Sequence, residues 1–220
     1  MTATELRGFG PAGIVAMLVI ALSGTVFAGH VAVPLGALLA LLWVLASGTP
    51  WHAIGYARPR RWIATIALGV AGGVAFKFLM KALVMPLFGA PPINQTYHYL
   101  AANRAMLPAA VWAMLVAGFG EETVFRGYLF ERLGALLGSS TRAKTAIVAM
   151  TSAFFGLAHY SDQGLPGVEQ ATITGVVFGT IFTVTGRIWV PMCAHAAFDL
   201  TALAMIYWNV EADVAHLIFR

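Results

Sequence analysis

The residues of this chain whose types can do chemistry are ionisable side chains set inside apolar runs. One run reads Val116-Ala-Gly-Phe-Gly-Glu121-Glu122-Thr-Val-Phe-Arg126, a second ends in Phe154-Phe155-Gly-Leu-Ala-His159, and a third holds His195-Ala-Ala-Phe-Asp199. A charge at the centre of a membrane helix costs roughly 2.5–3.5 kcal/mol on insertion scales. Glu121, Glu122, Arg126 and Asp199 together therefore approach about 10 kcal/mol unless compensated, a load that points to a functional site. Glu122 and Arg126 stand four apart with the acid first, the favourable order for a helical ion pair, and read as structural support. Glu121 is rotated by about 100° from Glu122, so the same arginine contact does not neutralise it, and the chemistry falls on Glu121. His195 and Asp199 are again four apart and can face one cavity, where a carboxylate fixes the tautomer and orientation of an imidazole.

Two reaction schemes fit a carboxylate and two histidines brought from three helices. In one, Glu121, His159 and His195 bind a divalent metal such as zinc, with water in the open position. No His-Glu-x-x-His stretch signals that metal, and no cofactor is certain. In the other, Glu121 deprotonates the water itself while a histidine or an Asp199-oriented group stabilises the oxyanion. Two further classes stay open: a non-catalytic immunity or scaffold protein that holds a peptide in the same cavity, and an ion-coupled transporter. No internal repeat is visible, which weighs against the transporter.

The elements that must position these groups are long apolar stretches. Of 220 residues, 60% are hydrophobic and 10% charged, and the mean hydropathy is +0.81. Soluble domains carry about a quarter charged residues. Crossing a bilayer takes about 20 mostly apolar residues, and such runs are expected over 12–28, 31–46, 62–85, 106–130, 145–160, 168–185 and 188–208. The expected fold is all-α, a polytopic transmembrane bundle of about seven to eight spans. It forms one integral domain over residues 1–220 with its catalytic core at about 106–208. Val26-Phe27-Ala28 resembles a signal-peptidase site, but the first span reads as retained. Glu121 precedes, and His159 follows, the loop joining the fourth and fifth spans, at similar distances. His195 lies about 12 Å in from Arg187 at 1.5 Å per residue. The heights match better if the fourth and fifth helices project out of the membrane through Glu131 to Lys144.

Charge orients the bundle. Arg7, Arg58, Arg60, Arg61, Arg132, Arg142, Lys144 and Arg187 all fall on one side of an alternating seven-span arrangement. The protein is thus expected to be a multi-pass protein of the cell membrane with a cytoplasmic N-terminus. The basic residues form no single patch, so the formal charge of +4 does not point to nucleic acid. Lys77 and Lys81, inside the third span, are expected to snorkel to the external interface; the alternative is that Lys77 compensates a buried carboxylate. The lone Cys193 excludes an intrachain disulfide framework and, about 200° round the helix from His195, is not assigned as a nucleophile. Gly175 and Gly179 form a GxxxG packing motif. Trp43, Trp51, Trp62, Trp189 and Trp208 fall near span ends, as in an aromatic belt.

Three motifs taken together resemble those of the CAAX prenyl endopeptidase and bacteriocin-processing (CPBP, or Abi) family. They are Glu121-Glu122-x-x-x-Arg126, Phe155-x-x-x-His159 and His195-x-x-x-Asp199, in order over about 80 residues. The resemblance implies an all-helical intramembrane endopeptidase whose site opens toward the cytoplasmic leaflet. It implies that Glu121 activates water with His159 and His195 as partners, that Phe155 supports the site, and that Asp199 takes the oxyanion or orienting position. Prenyl-processing members usually carry asparagine there. An ionised aspartate cannot donate a hydrogen bond, so Asp199 acts through His195 or in its protonated form. The expected substrate is a membrane-bound peptide or lipidated protein, met within the lipid bilayer. The N-terminal half offers only Tyr56-Ala-Arg58-Pro59 as a reminiscent stretch.

Overall fold

Inside a bilayer every backbone N–H and C=O must be satisfied within the protein, which for one chain of such apolar segments selects helices. A computed structural model of the protein describes residues 2–26 and 32–219, and among them there are helices and no strand. Phe27 and Ala28 of the cleavage-like stretch, and the junction of the first two expected spans, lie outside the described residues. The helices are α1 (Ala3–Arg7), α2 (Pro11–Val26), α3 (Ala32–Ser47), α4 (Trp62–Leu87), α5 (residues 107–137), α6 (Thr141–Ala158), α7 (Tyr160–Thr185), α8 (Trp189–Tyr207) and α9 (Glu211–Ala215). The seven long ones coincide with the seven expected spans to within a few residues, except that α5 runs on to Leu137, α6 begins at Thr141 and α7 begins at Tyr160, eight residues before the expected span. α4, α7 and α8 are long and apolar enough to cross a membrane, and Pro11–Ser23 and Val33–Ser47 are shorter apolar segments.

Local chemistry explains the breaks. Ser140 caps α6, its Oγ accepting from the Ala143 N–H at 3.2 Å, a bond that satisfies one orphan donor of the first turn. α7 breaks at Gly164, whose φ of 62° and ψ of −157° lie in a region open essentially to glycine alone. Pro166 then enters the restarted helix where its missing N–H costs nothing. α4 contains a π-helical turn at Met80–Val84 and α5 another at Thr123–Leu129. Such turns insert an extra residue and re-aim the faces on either side, often at functional sites.

α8 is the central element. It packs along both α4 and α5, while α6 pairs with α7 and α2 with α3. Glycines let the backbones approach. A Cβ on Gly73 of α4 would fall onto the carbonyl of Ala194, and one on Gly118 of α5 would lie 2.5 Å from the Ala196 nitrogen. The stretch around His195 is therefore clamped from two sides. The GxxxG pair packs as expected: a Cβ on Gly175 would sit 2.9 Å from Ser152 Cα, and one on Gly179 3.3 Å from Phe130.

At the N-terminal end, Arg132 donates to the Arg7 carbonyl at 2.6 Å and lies 4.5 Å from the Trp43 ring centroid. The Trp43 indole N–H in turn reaches the Leu6 carbonyl. Trp43 is thus buried by α1 instead of standing in an exposed belt. Trp62, Trp189, Tyr56 and Trp51 form a chain of ring contacts, and Trp208 and Trp112 are exposed. The two lysines depart from expectation. Lys77 is buried, donating to Gln170 Oε1 at 3.0 Å, and Lys81 bonds Glu211 Oε1 at 3.1 Å. Both find polar partners inside the fold, which removes the reason to snorkel.

Candidate active site

Glu121 and Glu122 end the first α-helical part of α5, before its π-helical turn, and their adjacency sends them to different places. Glu122 is fully buried. Its Oε1 accepts from Arg126 at 2.7 Å, the expected i,i+4 pair, and from His195 Nδ1 at 2.8 Å. The second guanidinium nitrogen of Arg126 donates to the Gly175 carbonyl at 3.2 Å, tying α5 to α7. Phe155 lies against this assembly: Arg126 is 4.9 Å from its ring centroid, His159 meets it edge-on at 4.7 Å, and the His195 ring is at 5.9 Å.

The histidines are oriented by these contacts. A carbonyl only accepts, so the 2.8 Å contact between His159 Nδ1 and the Phe155 carbonyl makes Nδ1 the donor and leaves Nε2 as the free ring nitrogen. His195 likewise gives Nδ1–H to Glu122 and presents Nε2 to the other carboxylates, with Glu121 Oε2 at 3.7 Å and Asp199 Oδ2 at 3.6 Å. Neither is a direct hydrogen bond. The carboxylate that fixes the His195 ring is therefore Glu122, reached across two helices, where Asp199 on the same helix was the expected partner. In the α-helical register, i,i+4 spacing brings Asp199 near Nε2 without aligning it.

A cavity of about 130 Å³ lies beside these groups. Glu121, His159, His195, Asp199 and Phe155 all line it, so α5, α6 and α8 deliver the sequence-predicted residues to one place, with Glu122 and Arg126 directly behind them. Sequence reasoning missed two of its walls and held the third, Lys77, only as the alternative partner of a buried carboxylate. Lys77 comes from α4, Gln170 from α7, and Tyr97 from the 3-10 turn Gln95–Leu100. Lys77 carried a signal, a charge in an apolar run; the other two carried none. Tyr97 lies outside the spans, and its phenol is pushed up to about 12, first by burial and then by the charges of Asp162, Asp199 and Glu121. It therefore stays a neutral hydroxyl at ordinary pH.

The tentative metal set Glu121, His159 and His195 shares this cavity, but among the described residues no three His, Cys, Asp or Glu side chains are arranged to hold a metal ion. The donor set as it stands does not fit one. Residues 103–201, which include all three motifs, match the family model described as type II CAAX prenyl endopeptidase Rce1-like. No curated protein and no solved structure matches the chain.

Proposed function

We propose, on the premise that the chain belongs over residues 103–201 to the Rce1-like CPBP family, that it is an intramembrane endopeptidase. Its substrate is a membrane-bound or lipidated peptide. The observation that carries this reading is the convergence of Glu121, His159 and His195 from three helices on one cavity.

The reaction follows from the ring orientations. Glu121 takes a proton from a cavity water as the water oxygen attacks the scissile carbonyl carbon. His159, with Nδ1–H given to Phe155, accepts at Nε2 a hydrogen bond from the other water O–H, which stays on the attacking oxygen, and so holds the nucleophile in line. His195, as the imidazolium backed by Glu122, donates Nε2–H to the oxyanion, the developing charge that fixed donors stabilise most. Asp199 acts on the ring through its charge alone, from 3.6 Å on the Nε2 side. Collapse of the tetrahedral intermediate breaks the C–N bond, and Glu121 returns its proton to the leaving amine. No step runs through a metal. The reading is of one integral domain, its catalytic core at about 106–208 and its N-terminus cytoplasmic.

The test is cleavage of a fluorogenic lipidated peptide library by detergent-purified protein, wild type against Glu121→Gln, each with and without a chelator. Glu121→Gln is expected to lose about 10²–10⁴-fold in rate while staying folded, and the chelator is expected to leave the wild type active. Equal turnover by the two proteins would overturn the glutamate mechanism. Peptide binding without turnover by either would make the protein a binder, and loss of activity on chelation would restore the metal scheme.

A further inference from the structure

Lys77 is the charged cavity group that the mechanism does not use. It is 7% exposed, its Nζ donates to Gln170 Oε1 at 3.0 Å, and Nζ stands 4.6 Å from the ring centroid of Phe198, the neighbour of Asp199. Lys77 and Asp199 line the same cavity. Their heights agree: counting 1.5 Å per residue, Lys77 lies about 15 Å from the Leu87 end of α4 and Asp199 about 12 Å from the Tyr207 end of α8. His195 is one turn further along.

Charge balance gives the lysine its task. Glu122 is matched by Arg126, which leaves Glu121 and Asp199 in one small cavity facing the single imidazolium of His195, one negative charge in excess. Lys81, the next lysine on α4, is paired with Glu211. Gln170 is neutral and uses one of the three Lys77 donors. Two donors and the whole charge remain for the cavity, where low dielectric carries the attraction across several ångströms. We propose that Lys77 is a positioning residue of the site: it is the counter-cation of Asp199, and through Asp199 it holds the Nε2 side of His195 against the oxyanion position. It acts across the cavity, not by direct contact.

The pair makes a prediction that neither residue makes alone. A carboxylate left without its cation is worse than a cavity that never held either charge, so Lys77→Met should be rescued by Asp199→Asn. The kinetic arm rests on the endopeptidase reading; the unfolding arm does not. In detergent, Lys77→Met is expected to lower the melting temperature and to reduce cleavage by about tenfold or more, in kcat and not in KM. Lys77→Met/Asp199→Asn is expected to return both to the level of Asp199→Asn alone, and Lys77→Arg to retain activity. Multiplied losses in the double variant, or a silent Lys77→Met, would overturn the pairing. If the wild type cleaves nothing, the endopeptidase reading fails and the melting temperatures decide by the same comparison. Should Lys77→Met not fold at all, folding of the double variant supports the pair and its failure refutes it.

Discussion

Two adjacent glutamates do different work because one residue step turns a helix by about 100°. Glu121 faces the cavity, whereas one oxygen of Glu122 receives both Arg126 and His195. Glu122→Ala strips the buried Arg126 of its counter-charge and is expected to cost about 3–5 kcal/mol of stability, the usual result of breaking a buried pair from one side. Unfolding in detergent measures it. Glu121→Gln, by contrast, is expected to leave stability nearly unchanged and remove turnover. The same reasoning separates legible from hidden. The i,i+4 ion pair was readable from spacing, and the Glu122–His195 bond was not, because 73 residues separate the partners.

At the scale of elements, α8 carries His195 and Asp199 at a height set by glycine approaches. Gly73→Val would place its side chain on the Ala194 carbonyl, a backbone atom that cannot step aside. The expected cost is about 1–3 kcal/mol, with cleavage falling further than stability because the displaced carbonyl adjoins His195. Gly72→Ala, whose Cβ meets nothing within 4 Å, is the control and is expected to behave as wild type in both assays. The apolar spans α4, α7 and α8 and the shorter apolar helices α2 and α3 were legible because a bilayer demands long uncharged runs. The π-helical turns in α4 and α5 were not, since no residue type marks them.

For the whole molecule, the distribution of arginines predicts sidedness. In a Cys193→Ala background, a membrane-impermeant maleimide applied to intact cells is expected to label Arg104→Cys and to leave Arg142→Cys unlabelled until the membrane is opened. Both positions are exposed. The opposite pattern would invert the proposed orientation and move the cavity's access to the other leaflet.

Composition and spacing alone determined that this chain is a bundle of membrane helices and that Glu122 pairs with Arg126, and they singled out Glu121, His159, His195 and Asp199, which line one cavity. These follow from rules that act along the chain: the thickness of the bilayer, the pitch of the helix and the cost of an uncompensated charge. Tertiary structure decided which carboxylate orients His195, that Lys77 turns inward to Gln170 and the cavity, and that Tyr97 closes one wall. Those depend on how far two helices approach and on where a π turn re-aims a face. Such distances are set by packing between segments remote in sequence, which no local spacing encodes.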